Sequence, residues 1–137
     1  MPARDIYHDQ VKFALIKDGW RIITEDYTLR YERDRLYADI AAEGVAAEKA
    51  GRKILVEVKS FLGTSFMQDL EQAIGQYVIY RDILEETASD YDLYLAIPQS
   101  TYEKGFQRSL AVMTIRRNRV KRVVVDVQNE VIVQWID

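Results

Sequence analysis

The segment from Ile54 to Phe61 constrains the fold of this chain more than any other part of the sequence. It reads ILVEVKSF, an apolar and largely β-branched run that is interrupted by two opposite charges, Glu57 and Lys59. Because side chains alternate between the two faces of a β-strand, Glu57 and Lys59 emerge on one face and Val56 on the other. A run this apolar is typical of a central strand that is covered on both faces. Since buried charges are costly unless they are paired, hydrated or bound to a metal, the segment indicates a site.

The length of 137 residues predicts a single domain, 1–137, that buries about two thirds of the surface of its unfolded chain. The absence of cysteine excludes disulfides, thiolate catalysis and zinc–thiolate sites. A formal net charge of −3 argues against a generally basic nucleic-acid binder, although a local positive stripe suffices for binding. The chain opens on a charged amphipathic segment, and no later apolar run is long enough to span a bilayer. We therefore expect a cytoplasmic protein with no membrane association.

Hydrophobic periodicity predicts the element order α β β β α β α β β, which indicates a mixed α/β domain around one sheet. The helices are predicted at about 5–18, 66–86 and 100–117. The strands are predicted at about 20–24, 36–40, 54–61, 92–97, 122–127 and 131–136. The charged segment 25–35 is expected to be a loop or an irregular continuation, and 41–49 is ambiguous. Ser65 with Gln68, and Ser100 with Glu103, are expected to cap the second and third helices.

Asp39 is a lone carboxylate in the otherwise apolar strand that precedes the Glu57 strand. If the two strands form an antiparallel pair, Asp39, Glu57 and Lys59 converge on one face. Two carboxylates suit Mg²⁺, which activates a bound water and stabilises charge on a phosphodiester, and a nearby lysine assists. The pattern suits phosphodiester hydrolysis, but a Glu-x-Lys tripeptide is short and frequent by chance, which by itself favours the structural alternative. The structural alternative is a partly solvated ion pair between Glu57 and Lys59 with no catalytic role.

Three further features are ambiguous by themselves. His8, the only histidine, falls on the border of the apolar face of the first helix, where it is either structural or directed into a cleft. The second helix carries a polar stripe, which is either a solvated face or the wall of a site: Asp69, Gln72, Gln76 and Tyr80. A dense basic cluster follows the third helix, and it either contacts DNA or complements the helix dipole: Arg116, Arg117, Arg119, Lys121 and Arg122.

Asp39, the tripeptide from Glu57 to Lys59 and the Gln76-x-x-x-Tyr80 helix resemble the PD-(D/E)xK nuclease superfamily, particularly its RecB-like branch. Almost the whole chain also resembles a small family, the XisH-like proteins, which are described as controlling factors for excision of the fdxN DNA element in cyanobacteria. The segments that carry this second resemblance are 1–8, 14–20, 57–61, 75–77, 80–84 and 131–136.

The superfamily resemblance implies a restriction-endonuclease-like fold, with a mixed central sheet flanked by helices. It implies Asp39 and Glu57 as ligands of Mg²⁺ or Mn²⁺, Lys59 as the catalytic lysine and His8 as a further metal ligand. Gln76 and Tyr80 match the helix that borders the site. The sequence departs from the pattern in having Ala38 rather than proline before Asp39, and in a long stretch between Asp39 and Glu57.

The two resemblances together imply a Mg²⁺-dependent DNA endonuclease-like factor that controls excision of a DNA element. The alternative is a non-catalytic DNA-binding or accessory subunit that assists a separate site-specific recombinase, with phosphate contacts made by the basic cluster. The family resemblance also implies an XisI-like companion protein as a partner, and many domains of the implied fold act as homodimers.

Overall fold

The computed structural model describes residues 4–137; residues 1–3, which begin one of the segments carrying the family resemblance, lie outside this range. The α-helices are α1 (His8–Lys17), α2 (Phe66–Glu86), α3 (Gln99–Glu103) and α4 (Ser109–Asn118). The strands are β1 (Trp20–Tyr31), β2 (Asp34–Gly44), β3 (Lys53–Val58), β4 (Tyr91–Pro98), β5 (Arg122–Asp126) and β6 (Val131–Ile136). Single 3₁₀ turns occupy Ala47–Lys49 and Gly105–Gln107.

The six strands form one mixed sheet in the order β1-β2-β3-β4-β5-β6. The β3/β4 and β4/β5 pairs are parallel, and the other three are antiparallel. Each parallel pair is joined by a helical crossover, α2 in the first case and α3 with α4 in the second, as parallel strands require. The predicted α/β class and the single domain with helices flanking a mixed sheet are confirmed.

The central strand β3 separates two apolar cores. Ile54 and Val56 pack into the core beneath α1, whereas Leu55 packs into the core beneath α2. All three are fully buried, as the unbroken apolar run predicts. Burying each such side chain stabilises the fold by about 1.5–3 kcal/mol. Glu57 lies on the α2 face of the sheet, and this placement positions the site.

The charged segment 25–35 is not a loop. It forms the end of β1, a tight turn and the start of β2, in a long antiparallel hairpin. Leu29 pairs with Leu36 and packs into the core beneath α2, while the charged neighbours face solvent. Sequence alternation is hard to recognise here because a register shift lies between Ile22 and Thr24 and the outer face is almost wholly polar.

The helices otherwise follow the predicted positions, with one wrong cap. Ser65 accepts a hydrogen bond from the Gln68 amide at 3.3 Å and caps α2. Ser100 caps nothing, because α3 already begins at Gln99 after Pro98. The helical region then breaks at Gly105, where an added Cβ would lie 2.3 Å from the Phe66 ring. No helix within residues 4–137 is long and apolar enough to cross a membrane.

Candidate functional site

Strands β2 and β3 bring Asp39 and Glu57 together. Their antiparallel register pairs Ile40 with Val56, which sets Asp39 opposite Glu57. The Asp39 amide donates to Glu57 Oε1 at 3.2 Å, and the Val58 amide donates to Asp39 Oδ2 at 2.7 Å. Each carboxylate is therefore held by the backbone of the neighbouring strand. The predicted convergence of these two residues, which we call the carboxylate pair, is confirmed.

The carboxylate pair is electrostatically unsatisfied. Glu57 is 8% exposed, and burial, together with the negative charge of Asp39, raises the pKa of Glu57 to about 9. Burial also raises the pKa of Asp39, despite the hydrogen bond from the Val58 amide. In the part of the chain that the structure describes, neither carboxylate forms an ion pair with lysine or arginine. At neutral pH the pair therefore keeps a proton unless a cation takes its place.

Lys59 leaves β3 on the side of Glu57 but does not pair with it. Its Nζ instead donates to Gln72 Oε1 on α2 at 2.7 Å. The ordinary Glu57–Lys59 ion pair, the structural alternative drawn from the sequence, is therefore absent among residues 4–137. The ammonium is held at the cleft by an uncharged acceptor, and its positive charge stays free for a ligand.

Three of the four residues of the polar stripe of α2 form one wall of the cleft, which has a volume of about 200 Å³. Its lining includes Gln72, Gln76 and Tyr80, together with Asp39, Glu57 and Lys59. The fourth stripe residue, Asp69, does not line the cleft and accepts from the Gly63 amide at 2.9 Å. The Tyr80 hydroxyl donates to the Tyr37 carbonyl at 3.2 Å. Burial and the nearby charges of Glu57 and Asp39 raise the pKa of Tyr80 to about 12. Tyr80 is therefore a neutral phenol that fixes α2 against β2 rather than a base.

Asp5 is a site residue that the sequence reasoning missed. It lines the cleft, and its two carboxylate oxygens accept from the Tyr7 and Ser60 amides, both at 2.9 Å. Its negative charge contributes to the raised pKa values of Asp39 and Glu57. The only sequence signal was an acidic residue just before α1, which is usual at a helix N-terminus. The contact with Ser60 spans 55 positions and is invisible to local patterns.

His8 is buried in α1 and contacts a carboxylate other than the predicted two. Its Nε2 lies 2.7 Å from Glu25 Oε1, and it does not line the cleft. Its Nδ1 is buried and has no hydrogen-bond partner among residues 4–137. Burial raises the pKa of Asp39, and the charge of a protonated His8 would oppose this rise. The assignment of His8 as a metal ligand stays a prediction.

A second set of potential ligand atoms surrounds His8. The ligand atoms of His8, Asp9 and Glu25 lie within 4.8 Å of one another. Glu25, however, also lies 3.4 Å from an Arg4 nitrogen and 3.6 Å from Lys12 Nζ. The hydrogen bond with His8, followed by the charges of Lys12 and Arg4, lowers the pKa of Glu25. This set is already neutralised by side-chain cations and is poorly suited to a metal.

The basic cluster borders a different cavity from the carboxylate pair. Arg116 and Arg117 occupy the last turn of α4, and Arg119 follows it in a left-handed conformation. Four of the five cluster residues border a separate cavity of about 570 Å³ beside Tyr102 and Phe106, and none lines the cleft: Arg116, Arg119, Lys121 and Arg122. Its position at a helix C-terminus is compatible with the dipole alternative as well as with DNA contact.

Comparison with known proteins is consistent with the resemblance seen in the sequence. The family described as XisH protein matches residues 1–133. No curated protein matches the chain. Two solved structures share its fold over nearly the whole length.

The first is an XisH family protein from Nostoc punctiforme, with 41% sequence identity and a TM-score of 0.89. It covers 97% of this chain and 100% of its own. The second is an fdxN element excision controlling factor protein from Anabaena variabilis, with 43% identity and a TM-score of 0.89, covering 98% of this chain and 100% of its own. The family match and the two structures each cover nearly the whole chain, and the chain belongs to the XisH family.

Proposed function

We propose that this protein is a Mg²⁺- or Mn²⁺-dependent DNA endonuclease-like factor that takes part in the excision of a DNA element. The observation that carries the proposal is the carboxylate pair, two carboxylates at a cleft that form no ion pair with lysine or arginine among residues 4–137. The link to DNA excision comes from the Anabaena variabilis relative, which is described as an fdxN element excision controlling factor. The pattern of site residues supports the PD-(D/E)xK superfamily as the source of the chemistry.

The donor set fits a hard divalent cation. Mg²⁺ prefers carboxylate oxygens and keeps several waters, so one or two protein carboxylates suffice. Asp39 and Glu57 would hold the ion, and His8, whose buried Nδ1 has no hydrogen-bond partner among residues 4–137, stays a predicted further ligand. When bound, such an ion lowers the pKa of a coordinated water and stabilises charge on phosphate oxygens. Its positive charge would also offset the effects of burial and of the Asp39 charge, which together keep a proton on Glu57.

The protein side chains have separate tasks in this proposal. The backbone amides of Asp39 and Val58 orient the two carboxylates before any ligand arrives. Lys59 presents an ammonium to the negative charge that develops on the phosphate, and Gln72 fixes its position. Gln76 and Tyr80 form the wall that restricts access from the α2 side. Asp5 orients the strand end through the Ser60 amide.

Cleavage of supercoiled and linear DNA by the purified protein, with Mg²⁺ or Mn²⁺, tests the proposal. We expect metal-dependent nicking that falls by more than about 100-fold in Glu57→Ala, because losing even an outer partner of a metal ligand costs about 10–100-fold. Lys59→Ala should reduce the rate similarly without removing metal binding. Glu48→Gln, at an exposed carboxylate outside the cleft, is the matched control and should remain active. Intact DNA under all conditions, alone and with a companion protein, would contradict catalysis.

A second candidate is supported by the basic cluster, four of whose residues border a cavity separate from the cleft. In this alternative the protein is a non-catalytic DNA-binding or accessory subunit, which acts with a separate recombinase and an XisI-like companion. Light scattering on the chain alone and with that companion measures whether a homodimer or a hetero-complex forms. DNA binding that is lost on charge reversal at Arg116 and Arg117, in a protein without cleavage activity, would favour this function.

A further inference from the structure

The hairpin of β1 and β2 extends well past the rest of the sheet. Strand β2 pairs with β3 only from Ile40 to Glu43, whereas it pairs with β1 as far as Asp34 opposite Tyr31. Residues 27–38 therefore form a two-stranded ribbon that has no third strand beside it. A two-stranded β-ribbon is one of the elements that fits the major groove of DNA.

The two faces of this ribbon differ sharply. Leu29 and Leu36 pair on the inner face and pack into the core beneath α2, which holds the ribbon rigidly in place. On the outer face, Arg30 lies directly opposite Arg35 in the register, and both are exposed. Arg33 extends the positive charge to the tip, where Glu32 and Asp34 also lie.

The Arg30–Arg35 pair is unfavourable in the free protein. Directly opposed residues of an antiparallel pair have Cβ atoms about 4.5–5.5 Å apart, and like charges there are destabilising. Neither guanidinium makes an ion pair with any acidic group within residues 4–137, so no side chain offsets the repulsion. An anionic ligand that accepts from both guanidinium groups would relieve it, and arginine forks match phosphate geometry.

Arg35 lies on the same strand as two residues that line the candidate site. Arg35, Tyr37 and Asp39 are successive alternate positions of β2, and Tyr37 and Asp39 both line the cleft. Four residues of strand span about 13 Å. At about 3.4 Å of rise per step, this is about the length of four base-pair steps along the axis of a duplex. A duplex whose backbone is held at Arg35 is therefore long enough to reach the carboxylate pair.

We propose that Arg30 and Arg35 form a phosphate clamp, which binds the backbone of duplex DNA and positions the duplex at the carboxylate pair. The ligand is the phosphodiester backbone itself, so the contact carries no sequence preference. This proposal rests on the proposed function for the position of the scissile phosphate. DNA binding can be measured in a cleavage-deficient variant, because binding does not require catalysis. A failure of the clamp can therefore be distinguished from a failure of the proposed nuclease function.

The test is fluorescence anisotropy of a labelled duplex of about 25 base pairs, without metal, in a Glu57→Gln background at several salt concentrations. Arg30→Glu with Arg35→Glu should weaken binding at least 10-fold and reduce the slope of log affinity against log salt by about 1.8, from about 0.9 for each phosphate contact. The matched control, Lys53→Glu with Lys104→Glu, changes the net charge equally and should have a much smaller effect. Equal losses in the two variants, or no loss in the ribbon variant, would overturn the proposal.

A gentler variant guards against a folding defect. Arg35→Gln removes one of the two opposed charges, so its melting temperature should equal or exceed that of the parent while its DNA affinity falls by several-fold. Weaker binding together with a lower melting temperature and lost secondary structure in this variant would count against the clamp. Binding that depends on Arg116 and Arg117 but not on the ribbon would also contradict it, and would assign the DNA contact to the basic cluster.

Discussion

The structure contains two groups of carboxylates that solve the problem of negative charge in opposite ways. Glu25 is hydrogen-bonded to His8 and flanked by Arg4 and Lys12, and the hydrogen bond with His8 in particular lowers its pKa. Glu57 is buried beside Asp39 and forms no ion pair in the part of the chain that the structure describes, and its pKa rises to about 9. The first group is neutralised by the protein itself, and the second is not.

This difference shows why counting potential ligands is a poor guide to a metal site. The set around Glu25 has three ligand residues within 4.8 Å of one another, yet it already holds positive side chains. The carboxylate pair has only two acidic residues but an uncompensated charge in a water-accessible cleft. A cation gains most where burial penalises the charge and nothing else has neutralised it.

The largest expected effect is on the pH dependence of stability in metal-free protein. Unfolded Glu57 loses its proton near pH 4.5, whereas the folded residue keeps it to about pH 9. Between these values the folded state binds the extra proton, so the free energy of unfolding falls as pH rises, by at most about 1.4 kcal/mol per pH unit. Urea titrations at pH 5, 7 and 9 in a chelator should show this decline. In Glu57→Gln the decline should largely disappear, and a flat profile in the wild type would contradict the shifted pKa.

The next largest effect is stabilisation by the metal. Mn²⁺ at about 100 times its dissociation constant should raise the free energy of unfolding by about 2.7 kcal/mol, since it binds only the folded state. At a fixed Mn²⁺ concentration the gain should be larger at pH 8 than at pH 6, because ligand carboxylates must release their proton. Thermal melts should show the shift in wild type and in Glu25→Gln but not in Glu57→Gln. A shift that is lost in Glu25→Gln and kept in Glu57→Gln would move the metal to the other group.

The smallest effect concerns Glu25. Its lowered pKa means that its interactions stabilise the fold above about pH 4.5 and are lost as pH falls through the folded-state pKa. Because Glu25 is partly exposed and solvent screens its ion pairs, Glu25→Gln should cost no more than about 1 kcal/mol at pH 7. The difference from wild type should vanish near pH 3 in urea titrations. A loss of stability in Glu25→Gln that grows as the pH falls would show that the pKa of Glu25 is not shifted in the opposite direction to that of Glu57.

Much of the fold follows from local patterns. The element order and the central position of β3 are correct because long apolar periodicities report burial directly. The strands of segment 25–35 were not predicted, because most of its residues are polar and only Leu29, which pairs with Leu36, is buried in the core. The predicted cap at Ser100 is wrong because α3 begins one residue earlier, at Gln99, with Pro98 in the N-cap position.

The candidate site divides in the same way. Asp39 and Glu57 could be brought together from sequence because alternation assigns each to a face and antiparallel pairing sets their register. Asp5 and Glu25 could not, since their partners lie 55 and 17 positions away and no periodicity links them. Lys59 lies at the cleft beside the two carboxylates, as the strand alternation predicted, but no sequence pattern indicated its hydrogen bond to Gln72.

By itself the sequence determined which residues face the sheet interior, and therefore that two carboxylates and a lysine meet on one face of the central strands. Only the tertiary structure decided which charges are compensated. Charge compensation depends on distances between side chains from different elements, such as α1 with β1 and β3 with α2, and these distances are set by packing. Residues with the same chemistry, Glu25 and Glu57, thereby acquire opposite pKa shifts and different prospects of binding a metal.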